Sequence, residues 1–334
     1  MDWQQINEMI ASSGRILLTS HENPDGDGLG SAVAMYHHLR EKGKGCRIIN
    51  CSQLPEEYDF LNHDSIIEMY AAEEHDEWLR NCDLAIIFDV GAFSRLRGIK
   101  DAIDRYDIKT VNIDHHPHPD DHPFTINVVD TNAAATGAMV YDYLKEYREK
   151  PLSKNICEGI YTAVMTDTGS FRYSNTNTKC HEIAIECLNA GVETSKIYQR
   201  IYETKPQSSI RLLARVIENI SFDNDGELAW FSIDQNMLDA AEASSKDVDG
   251  FTDFIRTIKG VEVAVMVFEN GRDVCRINFR SQGKYVINDI AKHFGGGGHK
   301  FAAGAVIKGN KETIVPQVIS QTIASLERQA AGRS

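Results

Sequence analysis

The sequence predicts an α/β protein in which a doubly wound, parallel-sheet N-terminal domain is joined by a helical linker to a smaller α/β C-terminal domain. Three observations support this prediction. Short apolar runs alternate with helical patterns through the first half of the chain, an alternation typical of βαβ units and a parallel sheet. The last third carries closely spaced strand-like runs, and 334 residues are more than a single hydrophobic core ordinarily contains.

Four strands are expected in the N-terminal half, because each is a short apolar run bounded by polar or turn-forming residues. They are "GRILLTSH" at 14–21, "CRIINC" at 46–51, "DLAIIFDV" at 83–90 and "KTVNID" at 109–114. Residues 28–43 carry apolar side chains at helical spacing and end at a glycine, which predicts a helix. The pattern is again helical from 136 to 192.

The C-terminal domain is expected to begin near residue 218, where the apolar pattern changes from helical to strand-like. Its strand-like runs are "GELAWFSI", "VEVAVMVFE" and "DVCRINFRS". The stretch "YVINDIAKHFGGGGHKFAAGAVIK" adds a helix, a glycine loop and a further strand. We therefore predict an N-terminal domain over 1–190, a helical linker over 191–217 and a C-terminal domain over 218–330.

The composition is that of an ordinary globular protein, with 42% hydrophobic and 25% charged residues. No stretch reaches the roughly 18 consecutive apolar residues of a membrane span, and the start of the chain lacks a basic region followed by an apolar one. We therefore expect a cytoplasmic protein without a membrane partner. The seven cysteines are odd in number and include no C-x-x-C pair, which argues against a disulfide framework and a thiolate zinc site.

The formal charge of −14 argues against a protein that coats long nucleic acid, because that binding mode needs many contacts with phosphates. The charge is unevenly distributed. Residues 251–310 contain nine Lys and Arg against five Asp and Glu, so this segment is positive while the remainder is strongly negative. One explanation is an acidic half that holds cations and a basic half that holds an anion. The alternative is a solvated acidic surface that maintains solubility.

Acidic and imidazole side chains follow the predicted strands, at the sheet edge where ligands bind in open α/β folds. These residues are His21, Asp25 and Asp27 after the first strand, Asp89 after the third, and Asp114, His115 and His116 at the end of the fourth. Asp167 follows a further apolar run, "YTAVM". Each alone has a structural explanation, such as a turn, a helix cap or a buried histidine. Several carboxylates converging on one edge would repel one another, which favours bound cations.

The donor atoms indicate the kind of metal. Aspartate and histidine without cysteine suit a hard to borderline ion such as Mn²⁺, with Mg²⁺, Fe²⁺ or Co²⁺ as alternatives. Four aspartates and two histidines exceed the needs of one ion and fit a pair about 3.5–4 Å apart with one bridging acid. Such pairs hydrolyse phosphoesters with an activated water, which is therefore the expected chemistry.

Five motifs make the sequence similar to a known family. "HENPDGDGLGS", "FDVG", "IDHHPH" and "TDTGSF", in that order, resemble the motifs of the DHH phosphoesterase superfamily. "GGGGHKFAAGA" resembles the glycine-rich signature of the DHH-associated C-terminal domain. The resemblance covers nearly the whole chain, and it implies an active site in the cleft between the two domains.

The resemblance also implies a role for each residue of the motifs. One metal would be held by His21, Asp25 and Asp89, and the second by Asp27, Asp89, His115 and Asp167, so that Asp89 bridges the two ions. Asp114 would support the site from behind, and His116 would face the substrate phosphate. The catalytic residues expected besides the metal ligands are thus His116 and Asp114, with Asp89 at the centre. The remaining His118, Asp120, Asp121 and His122 match no motif and are expected in a solvated loop.

The glycine run supplies a candidate substrate site. Gly296, Gly297 and Gly298 would let backbone N–H groups approach an anion, and His299 with Arg280 would add charge-assisted contacts to a terminal phosphate. Arg256 in "FIRTIKG" is a weaker candidate for the same cleft. The structural alternative is a flexible hairpin or a close crossing of two backbones.

Within the superfamily, the chain lacks the extra domains of RecJ-type exonucleases, the basic C-terminal motif of manganese pyrophosphatases and the spans of membrane-anchored relatives. The resemblance then implies a hydrolase of short oligoribonucleotides (nanoRNA of about two to five nucleotides) that also removes the 3′-phosphate of pAp. It implies no binding of long nucleic acid, and it suggests a homodimer. A phosphodiesterase for cyclic di-AMP or pApA stays an alternative, as does an inactive nucleotide-binding regulator.

Overall fold

The computed structural model of the chain describes residues 3–118, 122–271 and 273–332. It divides into two compact units, Met1–Thr204 and Lys205–Ser334. Each unit is built around its own sheet, which confirms the predicted α/β architecture with two domains. The predicted linker region contains two helices, α8 at the end of the first unit (Thr194–Tyr202) and α9 at the start of the second (Gln207–Glu218).

The first unit contains a six-stranded sheet in which every pairing is parallel. Its strands are β1 (Arg15–Ser20), β2 (Gly45–Asn50), β3 (Ile67–Met69), β4 (Leu84–Phe88), β5 (Lys109–Asp114) and β6 (Ile126–Val129). Its remaining helices are α1 (Gln4–Ser12), α2 (Gly26–Glu41), α3 (Ala72–Leu79), α4 (Gly98–Tyr106), α5 (Thr136–Tyr147), α6 (Lys154–Asp167) and α7 (Thr178–Asn189). The strand order β3-β2-β1-β4-β5-β6 reverses direction between β1 and β4, and such a reversal marks the ligand-binding edge of doubly wound sheets.

Both faces of this sheet are covered, as continuous apolar strands require. On one face Ile16, Leu18 and Ile86 pack in a large core with helices α2, α5, α6 and α7. On the other face Leu17 and Ile87 pack in a smaller core against α3 and α4. The four predicted strands are confirmed to within two residues at each end, while the short edge strands β3 and β6 were not predicted.

Helices α2 and α6 approach each other unusually closely at a pair of glycines. A Cβ atom placed on Gly30 would lie 2.3 Å from the carbonyl oxygen of Gly159, and one placed on Gly159 would lie 2.5 Å from the carbonyl oxygen of Gly30. No flexible side chain can move to relieve such an overlap, because the obstructing atoms belong to the backbone. The two helices can therefore pack at this distance only with glycine at both positions.

We expect the substitution Gly30→Ala to lower the free energy of unfolding of the N-terminal unit by about 1–3 kcal/mol, since overpacking outweighs the better helix propensity of alanine. Denaturant unfolding followed by circular dichroism measures this loss. Gly14→Ala is the matched control, because its added Cβ would meet only Asp83 Oδ2 at an ordinary 3.5 Å. Equal stability of the two variants would contradict the close helix packing.

The second unit contains a mixed six-stranded sheet of order β11-β12-β10-β9-β8-β7. Its strands are β7 (Ser221–Asp223), β8 (Leu228–Ile233), β9 (Val263–Glu269), β10 (Val274–Ser281), β11 (Gly297–His299) and β12 (Ala302–Lys308). Its remaining helices are α10 (Gln235–Ala241), α11 (Phe251–Ile255), α12 (Asn288–His293) and α13 (Lys311–Ala331). The three strand-like runs and the later helix and strand are confirmed, and β7 was not predicted.

The glycine run differs from the predicted loop. Its last two glycines, with His299, form the short edge strand β11, which pairs with β12 in antiparallel register. β12 supplies the hydrogen-bonding partners of this strand, a tertiary contact that composition alone does not reveal. Gly298 in its middle has a φ angle of 132°, which favours glycine. Among the described residues, none of the helices is both long enough and apolar enough to cross a membrane.

Candidate metal centre

The predicted acids and imidazoles meet at the carboxyl edge of the parallel sheet. His21 follows β1 directly, Asp89 follows β4, and Asp114 is the last residue of β5. Asp89 has a φ angle of 61°, in the left-handed region that aspartate tolerates better than most residues. This backbone turn ends the strand at the position where the other acids converge, and strained conformations of this kind are concentrated at functional sites.

The first group of donors consists of His21, Asp25 and Asp89, whose ligand atoms all lie within 4.8 Å of one another. His21 Nε2 lies 3.4 Å from Asp89 Oδ2 and 3.8 Å from Asp25 Oδ2. Asp25 also caps helix α2, since its side chain accepts from the backbone N–H groups of Asp27 and Gly28. The helix cap thus fixes one donor of the group.

The second group consists of Asp27, His115 and Asp167. His115 Nε2 lies 3.6 Å from Asp27 Oδ2 and 3.7 Å from Asp167 Oδ2. It also lies 3.6 Å from Oδ1 of Asp89, so the two oxygens of Asp89 face the two groups. Asp89 therefore stands between the two sets of donors.

The N-terminus of helix α5 holds Asp27 in place. The backbone N–H of Thr136 donates to Asp27 Oδ2 at 2.6 Å, and that of Gly137 donates to Oδ1 at 2.8 Å. Negative charge is favourable at a helix N-terminus. The hydroxyl of Thr136 also donates to Asp89 Oδ1 at 3.3 Å. Sequence analysis missed Thr136, because only the fold brings this helix to the sheet edge.

The orientation of the histidine rings divides them into two kinds. His21 and His115 present Nε2 to the acids, while their Nδ1 atoms lie 2.7 Å and 3.2 Å from the carbonyl oxygens of Glu22 and Ala133. An Nδ1–H donated to a carbonyl leaves Nε2 with its lone pair, the usual arrangement of metal-binding histidines. Arg95 Nη2, which can only donate, also lies 2.9 Å from Nδ1 of His21, so the two neighbours of this nitrogen favour opposite tautomers. Sequence analysis missed Arg95.

His116 is oriented differently. Its Nδ1 atom lies 2.8 Å from Asp114 Oδ1 and 3.3 Å from Asp89 Oδ1. The other oxygen of Asp114 lies 2.5 Å from Nε2 of His118. Asp114 is fully buried and orients both rings. The prediction that His118 lies in a solvated loop is wrong, because its side chain is only 6% exposed and is held by Asp114. Asp120 and Asp121 lie outside the described residues.

The acids carry opposite pKa shifts. Burial, and then the charges of Asp89 and Asp167, raise the pKa of Asp27 well above its usual range. Burial also raises the pKa of Asp167, to about 7, against an opposing effect of His115. Asp89 is equally buried, but His116 and His21 hold its pKa well below the usual range. The buried acids of the site therefore exceed what its own cations can neutralise, so Asp27 and Asp167 tend to keep their protons when no metal is bound.

The imidazoles respond to the same charge. Burial lowers the pKa of His21, but Asp25 and Asp89 outweigh burial and raise it to about 9. Asp114 and then Asp89 likewise overcome burial and raise the pKa of His116 to about 11. Divalent cations compete with such protons for carboxylate and imidazole donors. Oxygen and nitrogen donors without sulfur, with the Nδ1 atoms of His21 and His115 at carbonyls, fit one or two divalent ions.

The candidate substrate residues lie together in the second unit. Asp253 holds both arginines, since Arg280 Nε donates to its Oδ2 at 3.1 Å and Arg256 Nη2 lies 3.7 Å from its Oδ1. Ala302 of β12 pairs with Arg280 on one side and with His299 on the other, so these two side chains lie on the same face of the sheet.

The glycines of this run have two different tasks. A Cβ atom on Gly296 or Gly298 would lie 2.0 Å or 2.6 Å from a carbonyl oxygen of β12, so these two glycines permit close pairing of the strands. A Cβ atom on Gly297 would meet no heavy atom within 4 Å among the described residues. Of the three candidate glycines, Gly297 is thus the one with open space for a ligand.

The doubly wound sheet, with acids and imidazoles around its switch point, defines the class of the N-terminal unit. Residues 15–164 match the model of the DHH family, N-terminal domain, and residues 234–325 match that of the DHHA1 domain. The chain belongs to the DHH phosphoesterases that carry a DHHA1 domain, and it is a hydrolase of that class.

Particular relatives share nearly the whole chain. The bifunctional oligoribonuclease and PAP phosphatase NrnA of Thermus thermophilus is 29% identical over 90% of this chain and 86% of its own length. The NrnA of Bacillus subtilis is 29% identical over 91% of this chain and 92% of its own length. The crystal structure of an exopolyphosphatase-related protein from Bacteroides fragilis superposes with a TM-score of 0.89 at 26% identity, covering 99% of this chain and 97% of that one.

Proposed function

We propose that this chain hydrolyses short oligoribonucleotides and the 3′-phosphate of pAp with a pair of divalent ions. The single observation that carries the proposal is the position of Asp89, whose two carboxylate oxygens face two separate groups of donors. One shared carboxylate between two sets of oxygen and nitrogen donors is the arrangement of two-metal phosphoesterase sites. The relatives named as oligoribonuclease and PAP phosphatase support the choice of substrate.

The ligand assignment follows the two groups. His21, Asp25 and Asp89 would hold one ion, and the second would be held by Asp27, Asp89, His115 and Asp167. Mn²⁺ suits this mixed set, with Mg²⁺, Co²⁺ or Fe²⁺ as alternatives. When bound, such a pair supplies Lewis acidity to the phosphate oxygens and to the attacking water.

The other residues of the site orient the ligands and supply a positive charge. Asp114 fixes the ring of His116 through Nδ1, so the opposite ring nitrogen is the one that can meet a phosphate oxygen. The raised pKa of His116 keeps this imidazole protonated near neutral pH, which makes it a donor to an anionic group. The main-chain N–H groups of helix α5 keep Asp27 aligned.

The second unit would bind the end of the substrate that does not react. Arg280 and His299 lie on one face of its sheet beside Gly297, and Arg256 shares Asp253 with Arg280. Two arginines and an accessible backbone suit a terminal phosphate. Because this segment has a net positive charge while the rest of the chain is net negative, the charge distribution favours a small anionic substrate over a long nucleic acid.

A substrate panel with manganese tests the proposal. We expect release of phosphate from pAp and of mononucleotides from two- to five-nucleotide RNA. A twenty-nucleotide RNA should be cleaved at least about tenfold more slowly, because the acidic remainder of the chain repels its additional phosphates. The panel includes pApA and cyclic di-AMP, and chromatography resolves the products. Equal rates on dinucleotide and twenty-nucleotide RNA, or hydrolysis of cyclic di-AMP alone, would contradict the proposal.

A further inference from the structure

One face of the C-terminal sheet carries a further arginine beyond those proposed for the terminal phosphate. Along β10 the odd-numbered residues, such as Ile277 and Phe279, are fully buried, whereas the even-numbered ones point to the opposite face. We call this the outer face; its residues are Arg276, Asn278 and Arg280 of β10 with Ala302, Gly304 and Val306 of β12. It begins at the candidate terminal-phosphate residues and continues along the strand away from them.

The register of the strands divides the outer face into rows. Arg280 pairs with Ala302, which pairs with His299; Asn278 pairs with Gly304, which pairs with Gly297; and Arg276 pairs with Val306, beyond the end of β11. Ala302 lies between Arg280 and His299, and Gly304 and Gly297 stand in the next row, so no large side chain projects from the middle of the face. Arg276 is four residues from Arg280, which in a strand is about 13 Å along one straight line.

The side chain of Arg276 is partly exposed and is oriented by two contacts. Its Nη2 atom donates to Asp249 Oδ1 at 3.0 Å, and its guanidinium lies 5.5 Å above the ring of Phe268. Its side chain is still 32% exposed, and that of Asp249 is 68% exposed. An ion pair with so much exposure contributes little to stability. A guanidinium has further N–H groups with which it can bind a phosphate.

The end of the row also offers an apolar surface. Val306, opposite Arg276, is 68% exposed although it lies in the middle of a strand. An exposed aliphatic side chain beside the flat face of a guanidinium suits a nucleobase, which packs on both. Positive charge with an adjacent apolar contact therefore fits a nucleotide better than an isolated inorganic anion.

We propose that the outer face is a subsite for one further nucleotide of the substrate, with its phosphate on Arg276 and its base against Val306. The inference rests on the proposed function, because it extends the site that holds the terminal phosphate at Arg280. pAp and pApA each contain two phosphorus centres, one at the reacting position and one at the terminal position. A substrate needs a third phosphate, as in pApApA, before Arg276 can contribute.

Arg276→Ala tests the subsite with pAp, pApA and pApApA. We expect kcat/KM for pApApA to fall roughly tenfold, the loss typical of one charge-assisted hydrogen bond. The values for pAp and pApA should stay within about twofold. For pApApA alone, the slope of log kcat/KM against log salt concentration should become shallower by about 0.7, since one phosphate contact is lost.

Two control variants separate binding from structure. Asp249→Ala breaks the same ion pair but leaves the guanidinium, so hydrolysis of pApApA should be retained or increased. Arg211→Ala removes another exposed arginine of this unit, which pairs with Glu242 at 2.9 Å, and should affect none of the three substrates. Circular dichroism verifies that all variants fold.

Different results would contradict the subsite and the proposed hydrolase activity. If Arg276→Ala changes all three substrates equally or none of them, or if Asp249→Ala reproduces its effect, the outer face is not a subsite. If the unmodified protein hydrolyses none of the three nucleotides, the proposed function itself is wrong.

Discussion

Replacing Asp89 by asparagine is expected to lower kcat for hydrolysis of pAp and short RNA by roughly 10³-fold or more, because one substitution removes the charge shared by both groups of donors. Asparagine is preferred to alanine for this test, since it also tolerates the φ angle of 61° at this position. Steady-state rates with saturating manganese measure the loss. Calorimetric titration should show weakened manganese binding at both sites.

The control is Asp142→Asn, which removes an aspartate that pairs with Lys179 on the surface of the same unit. It should leave both the rate and manganese binding unchanged. If Asp89→Asn kept more than about a tenth of the activity, a carboxylate shared between two ions could not be at the centre of the mechanism.

Removal of divalent ions with EDTA is expected to abolish the activity, and added Mn²⁺ should restore it. The same addition should raise the melting temperature, because an ion that binds only the folded chain stabilises it and here also relieves repulsion among buried carboxylates. Differential scanning calorimetry follows this second readout without substrate. Full activity after exhaustive chelation, or an unchanged melting temperature on adding Mn²⁺, would contradict the ligand assignment.

Manganese binding should depend on pH in a defined direction. The pKa of Asp167 is raised to about 7 and that of His21 to about 9, so both groups hold protons in mild acid. Manganese must displace those protons, and its affinity should therefore increase as the pH rises through these values. Activity at subsaturating manganese should decline in mild acid and recover at higher metal concentration.

The sequence predicted most of the fold because the parallel strands are buried on both faces and appear as uninterrupted apolar runs. The edge strands β3, β6 and β7 were missed, since three or four partly exposed residues carry no such pattern. Asp89 and Asp114 were found because they lie at the ends of predicted strands, and Asp25 and Asp27 because they come shortly after one. Asp167 ends helix α6 rather than a strand, and it was found from its apolar run and its motif. The predicted homodimer, the cytoplasmic location and the position of the active site between the domains stay predictions.

The supporting residues were beyond sequence analysis for a different reason. Thr136, Arg95 and His118 act through contacts with residues that are distant in sequence or that belong to a loop without a regular pattern. The one indication of Thr136 in the sequence is its position at the start of a predicted helix, directly after the three alanines of "AAATG".

The glycine pair Gly30 and Gly159 has a consequence beyond packing. Gly30 lies three residues after Asp27 on α2, and Gly159 lies eight residues before Asp167 on α6, so the crossing sets the distance between two acids of one donor group. Helix separation therefore bears on the space left for one ion between Asp27 and Asp167. In a homologue with a wider crossing, we expect a longer acid at one of these two positions or a larger ion between them.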